Sequence, residues 1–107
     1  DMILVSGFNV YPNEVEQVIW AHPAVQDCAV IGVPDDAWGE AVKAVVELNA
    51  GQQVSADELI TLCKQKLGSV KAPKTIDFVA SLPRSPVGKV LKKDLRARYW
   101  QNTSRNI

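Results

Sequence analysis

Two stretches of this chain combine residue types that could do chemistry. The first is Pro83-Arg84-Ser85-Pro86-Val87-Gly88-Lys89. A lysine that follows a glycine on a proline-stiffened loop can be offered as a point charge to a phosphate or a carboxylate. It is not a Walker-type phosphate loop, because the upstream glycine and the following Ser or Thr are missing. Alone, the same residues also describe a solvated basic loop. The second stretch is Ser6-Gly7-Phe8-Asn9-Val10-Tyr11-Pro12-Asn13-Glu14-Val15-Glu16. A glycine beside an aromatic residue, just ahead of a helix start, lets a ligand approach the backbone. An ordinary turn and helix cap fits those residues too.

Other reactive side chains carry less. Cys28 and Cys63 each sit in an apolar stretch, and their spacing matches no metal motif. They read as buried, reduced thiols. The single histidine, His22, precedes Pro23 at an expected helix end and reads as a capping or surface residue.

The elements that must position these stretches follow from patterning. Met2–Val5 reads as a short strand, Ser6-Gly7 as a turn and Phe8–Val10 as the returning strand. Pro12 suits the first turn of a helix, where its missing N–H costs nothing. Val15, Val18, Ile19 and His22 mark that helix's apolar face, and Pro23 ends it. Cys28–Val33 is a continuous apolar run, expected to be a strand covered on both faces. A loop runs from Pro34 through Trp38-Gly39. The alternating segment from Val42 to Asn49 reads as a strand with one better-buried face. Ser55-Ala56-Asp57-Glu58 is a capping box, and Gly68 stands at the far end of the helix behind it. Thr75–Ala80 is a further strand, with Ile76 and Phe78 on one side. A last helix begins near Leu91, with Leu91, Leu95 and Tyr99 as its apolar stripe and a polar, frayed tail from Gln101. The fold class is α+β. A small sheet of three central strands plus a short N-terminal hairpin packs with about three helices, in the order β-β-α-β-β-α-β-α.

The chain has 107 residues, the size of one domain. Apolar residues make up 47% and charged ones 22%, an ordinary globular balance. No apolar run is long enough to span a bilayer. Net charge is zero, yet the acidic residues gather before Glu58 and the basic ones after Leu59. Such a split points either to a face that meets an anion or to pairing between interleaved halves. The opening Asp1-Met2-Ile3-Leu4-Val5 reads as a cut end with sequence expected upstream.

Together the two stretches resemble the adenylate-forming superfamily: acyl-CoA synthetases, peptide-synthetase adenylation domains and beetle luciferases. Asp1 to Glu16 is similar to the family's hinge-region motif, and the form Gly7-Phe8-Asn9-Val10-Tyr11-Pro12 resembles that of bacterial long-chain fatty acid ligases. Pro83 to Lys89 is similar to the family's C-terminal lysine motif, and Val33-Pro34-Asp35 with Gly39-Glu40 fits the region between. The resemblance covers essentially the whole chain.

That resemblance implies that residues 1–107 form the mobile C-terminal domain of a fatty acyl-CoA ligase, inactive alone. A large N-terminal domain would carry the acyl pocket, most of the ATP site and the Mg2+ that accompanies ATP. The hinge residue would lie just before Asp1. The substrates implied are ATP, a fatty acid and coenzyme A, joined through an acyl-adenylate. The site residues implied are Lys89 as the adenylation lysine, with Ser6, Gly7, Phe8, Trp38, Lys71, Lys74 and Gly88 as binding residues and no metal ligand. Ser6-Gly7-Phe8 would line the tunnel for the pantetheine arm, and Trp38 either stacks on the adenine of coenzyme A or packs in the core. Lys71 and Lys74 would approach the nucleotide phosphates, although Val70 and Ala72 stand where relatives can carry an aromatic residue or an arginine. The implied setting is cytoplasmic, with the whole enzyme able to attach peripherally to the inner membrane. The competing readings are a ligase for a short or aromatic acid, one that loads a carrier domain, and a basic nucleic-acid-binding module. No recognised RNA or DNA motif supports the last, so no nucleic-acid partner is expected.

Overall fold

In the computed structural model, residues 2–105 are described, with side chains as far as Trp100. The asserted hinge position beside Asp1 lies outside the described residues. The strands are β1 (Ile3–Val5), β2 (Phe8–Val10), β3 (Val25–Asp35), β4 (Gly39–Leu48) and β5 (Thr75–Val79). The helices are α1 (Pro12–Trp20), α2 (Ala56–Leu67) and α3 (Lys92–Arg105). β1 and β2 form a separate antiparallel hairpin. The main sheet has the order β3-β4-β5, with β3 and β4 antiparallel and β4 and β5 parallel. A parallel pair needs a crossover, and α2 supplies it.

The long β3–β4 ribbon explains the core. Along β3, Cys28 and Val30 face one way while Ala29, Ile31 and Val33 face the other, following the two-residue period of a strand. On β4, Val42, Ala44 and Val46 join the first set, and Ala41 and Val45 join the second. Two hydrophobic clusters result. The first gathers Ile3, Val5 and Val10 of the hairpin, Val15 and Ile19 of α1, and Leu59 and Cys63 of α2. The second gathers Leu82 and Leu95, with Val79, Val90 and Tyr99 packed against it. Each fully buried aliphatic side chain contributes roughly 1.5–3 kcal/mol of transfer free energy.

Several expectations change in detail. β3 and β4 are longer than the apolar runs, so the expected Pro34–Gly39 loop shrinks to the tip of a hairpin in which Asp35 pairs with Gly39. β3 is an outer strand, and Pro34 is tolerated there because a missing donor on an edge breaks no ladder. β4 is buried on both faces, since Ala41 and Val45 lie under α3 and its preceding loop. Phe78 is exposed rather than inward with Ile76. α3 continues through Arg105, so the segment from Gln101 begins as helix.

The capping box forms by half. Ser55 Oγ accepts from Glu58 N at 3.0 Å, but the Glu58 carboxylate turns to His22 Nε2 at 2.9 Å. His22 also accepts from Ala24 N through Nδ1, which fastens the α1–β3 turn to α2. Gly68 ends α2 at φ +90°, a conformation glycine adopts without strain. Cys28 and Cys63 are buried and unpaired, and burial pushes their thiols up to about 12 and about 11.

The free edge of β3 is closed by side chains. Val30 N donates to Glu16 Oε2 at 2.9 Å, and Trp100 Nε1 donates to Gly32 O at 2.9 Å. Covering an outer strand in this way removes a template for pairing with another chain.

Candidate functional site

The Ser6-Gly7 turn is set by backbone geometry. Val5 pairs with Phe8, leaving Ser6 and Gly7 as a two-residue loop. Their φ values are +48° and +89°, which is the type I′ requirement of positive φ at both central positions. Around this tip, Val5, Ser6, Phe8, Trp38, Ser69 and Val70 line an open, mainly apolar groove of about 330 Å³. Phe8 is 60% exposed, Trp38 46% and Val70 44%, so none of the three belongs to the core. A Cβ at Gly7 would meet nothing within 4 Å in this domain.

Trp38 is held from behind. Asp35 Oδ2 accepts from Trp38 N at 2.8 Å, and Asp35 Oδ1 accepts from Lys74 Nζ at 2.8 Å. The same ammonium lies 4.6 Å from the centroid of the Trp38 ring, within cation–π range. The bond from Lys74, followed by the N–H of Trp38, holds the Asp35 carboxyl below the usual carboxylate range. Lys71 is also engaged, donating to Glu14 Oε1 at 2.7 Å. Neither expected phosphate-binding lysine is a free cation in this arrangement.

The Lys89 turn is built differently. Gly88 N donates to Ser85 O, Ser85 N donates to Lys89 O, and each bond is 2.8 Å. Arg84 and Val90 form an isolated antiparallel bridge beneath the turn. Gly88 takes φ +88°, and Lys89 is exposed. Arg84 anchors the base. Its guanidinium donates to Asp27 Oδ2 at 2.6 Å and to Glu47 Oε1 at 3.1 Å, bridging facing residues of β3 and β4. Asp77 is occupied by Lys43 at 3.0 Å and Tyr99 at 2.6 Å, so it does not restrain Lys89.

The sheet separates the two turns. Ile3, Val5 and Val10, which flank Gly7, pack in the first cluster. Leu82, Val90 and Leu95, which flank Lys89, belong to the second cluster on the opposite face. Thus Ser6, Phe8 and Trp38 come together, with Gly7 at their tip, while Gly88 and Lys89 stand apart.

The uneven charge is spent internally in part. Glu14–Lys71, Glu16–Lys92, Asp27–Arg84, Glu47–Arg84 and Asp35–Lys74 all join the acidic half to the basic half. Among the described residues, Lys64, Lys66, Lys89, Lys93, Arg96 and Arg98 make no ion pair.

Sequence reasoning missed Asp35 as the support of Trp38 and Arg84 as the support of the Lys89 turn. Arg84 did carry a signal, being a cation inside the lysine motif with acids on two strands. Asp35 carried none beyond its place beside the hairpin tip.

Residues 14–89 match the AMP-binding enzyme C-terminal domain. The chain belongs to that family. It is 45% identical over 107 residues to the fatty acid–[acyl-carrier-protein] ligase ScoC of Streptomyces coeruleorubidus, covering 100% of this chain and 21% of the relative. It is 49% identical over 96 residues to a long-chain-fatty-acid–CoA ligase of Escherichia coli, covering 90% of this chain and 17% of the relative. Among solved structures, a fatty acyl CoA synthetase of Mycobacterium tuberculosis superposes with a TM-score of 0.88 at 42% identity. That match covers 95% of this chain and 20% of the other. The chain therefore spans about a fifth of the length of these relatives. Among the described residues, no helix is long and apolar enough to cross a membrane.

Proposed function

We propose that this domain is the moving part of a fatty acyl-CoA ligase, serving both half-reactions with different faces. In the first, the fatty acid carboxylate attacks the α-phosphorus of ATP, forming acyl-adenylate and releasing pyrophosphate. Lys89 would bring its ammonium to the reacting oxygens, where two anions meet and a fixed cation offsets the accumulating charge. In the second, the thiol of coenzyme A attacks the acyl carbon and AMP leaves. The groove beside Ser6, Gly7 and Phe8 would then border the pantetheine arm, with Trp38 offered to the adenine. The acyl pocket, most of the ATP site and the hinge would belong to a preceding domain. Mg2+ accompanying ATP would be held there too.

The observation that carries this reading is the placement of an exposed, unpaired Lys89 and an aromatic-lined groove on opposite sides of one sheet. One lysine and one groove that cannot face the same site at once suit a domain used twice. The kinship with a carrier-protein ligase supports a second acceptor, the same pantetheine arm presented by a carrier domain. Cytoplasmic placement and peripheral membrane attachment of the whole enzyme remain part of the proposal.

The test compares the domain alone with the domain joined to its upstream partner. With ATP, palmitate and coenzyme A, the joined protein is expected to release acyl-CoA and the 107-residue chain none. Acyl-CoA from the chain alone, or no acyl-adenylate from the joined protein with any fatty acid, would overturn the reading.

A further inference from the structure

One carboxylate oxygen of Glu16 has two partners at the edge of β3. Glu16 Oε2 accepts from Val30 N at 2.9 Å and from Lys92 Nζ at 2.6 Å. The Glu16 and Lys92 side chains are 15% and 24% exposed, so water competes less here than at the more open Lys71–Glu14 pair. Three elements meet at this point: α1 through Glu16, β3 through Val30, and α3 through Lys92, its first residue. α1 packs in the first hydrophobic cluster and α3 in the second. The pair therefore reaches around the sheet edge from one face to the other.

Lys92 gains nothing from its own helix. α3 opens with Lys92 and Lys93, and cations there meet the positive end of the helix dipole. Nor does Lys92 border a ligand site. The cleft beside it, with Pro12, Val30 and Arg96 in its walls, holds about 20 Å³, room for about one water. Its place in the chain is more telling. Leu91, the residue before it, donates its backbone N–H to Pro83 O at 2.8 Å and closes the base of the Lys89 turn. Arg84 fastens the limb that enters the turn to Asp27 and Glu47. Lys92 fastens the limb that leaves it to Glu16. Among the described residues, Arg84, Lys89 and Lys92 are the cations of this segment, and only Lys89 makes no ion pair.

Resting on the reading above, we propose that Glu16 is a positioning residue for acyl-adenylate formation, acting through Lys92 to fix where Lys89 delivers its ammonium. Glu16 lies in the stretch that opens the chain, and Lys92 lies just past the lysine stretch. The carboxylate couples the two, so a swing of the hairpin and α1 carries the Lys89 turn with it as one body. A cation held in place acts more strongly on developing charge than a wandering one, because it needs no reorientation when the reaction occurs.

The experiment uses the full-length enzyme and reads both half-reactions. Glu16→Gln leaves Val30 N an acceptor and removes the charge that holds Lys92. Lys92→Met removes the ammonium and leaves Glu16 on Val30. Each should slow pyrophosphate exchange by roughly tenfold, less than the ~10²-fold that a misplacement of about 1 Å can cost. Thioester release from supplied acyl-adenylate should not change, and Lys92→Arg should keep the wild-type exchange rate. The deciding arm repeats Glu16→Gln in a Lys89→Ala background. There it should cost nothing further, because a residue that acts through Lys89 has nothing left to position. A second loss of the same size in that background would overturn the proposal. So would equal slowing of both half-reactions, the mark of a general folding defect. It is also overturned if Lys92→Met slows exchange while Glu16→Gln does not, since Lys92 would then act on the substrate itself. A wild-type exchange rate in Lys89→Ala alone would instead defeat the parent reading.

Discussion

The Ser6-Gly7 tip and the Ser85–Lys89 turn reach similar shapes by different means. Each has a glycine at positive φ, and each closes an antiparallel pairing. The first is shaped by backbone alone, borders apolar and aromatic side chains, and offers no unpaired cation at its groove. The second is clamped by Arg84 to acids on two strands and leaves one lysine exposed. On the proposed reading, the contrast teaches that a turn offering a cation to a substrate separates that exposed cation from its structural one. Arg84 satisfies the acids beneath, so Lys89 is not drawn into them. A turn that would only border an apolar arm needs no such division.

The comparison breaks most visibly at Lys89. Lys89→Ala in the full-length enzyme should slow acyl-adenylate formation by roughly 10²–10³-fold, the scale of losing one preorganised charge-stabilising donor. Pyrophosphate exchange reads that step. Thioester release from supplied acyl-adenylate should be nearly untouched, and equal damage to both steps would make the two turns parts of one site.

Gly7→Leu should show the opposite bias, with a smaller effect. No atom of this domain would meet a Cβ there, so within the domain the cost comes from forcing an L-residue to φ +89°. That strain is of order 1–2 kcal/mol. The hairpin should distort or the new side chain should enter the thiol path, slowing thioester release by roughly tenfold. Pyrophosphate exchange at a wild-type rate would sharpen the separation; loss of both activities would erase it.

The smallest effect concerns the face beneath Lys89. Burial, then the hydrogen bond to Asp77, pushes the Tyr99 hydroxyl up to about 12. The folded value lies above the ordinary one near 10, so this contribution to stability is intact below pH ~10 and is lost as pH rises toward ~12. Wild-type thermal stability should therefore fall over that window, and Tyr99→Phe should flatten the fall by a few degrees at most. An unchanged slope in the variant would remove Tyr99 from the account.

Much of the fold was legible because its elements are punctuated. Pro12 starts a helix, Ser55 caps one, Gly68 ends one, and the length and flanks of the run Cys28–Val33 argue a doubly covered strand. What patterning missed arises from tertiary contacts. The extension of β3 through Pro34 depends on its outer position in the sheet, and the half-formed capping box depends on His22 competing for Glu58. At the candidate site, residue type and spacing singled out Lys89 and the Ser6-Gly7-Phe8 stretch, while the roles proposed for them come from the family resemblance. The engagement of Lys71 and Lys74 was not, because Glu14 and Asp35 lie 57 and 39 positions away in the chain. Long-range pairing of this kind leaves no local periodicity.

Gly32 and Glu40 lie diagonally across the β3–β4 ribbon, where the register pairs Gly32 with Val42 and Glu40 with Pro34. A Cβ at position 32 would stand 2.6 Å from Glu40 Oε2, while Glu40 Oε1 accepts from Leu4 N at 2.9 Å. The end of a glutamate can swing aside, so an alanine at 32 need not jam the sheet. The swing would instead take the carboxylate off the first strand. Positions 32 and 40 are thus coupled: a side chain gained at the first loosens the strap by which the second ties the Ile3–Val5 strand to the sheet.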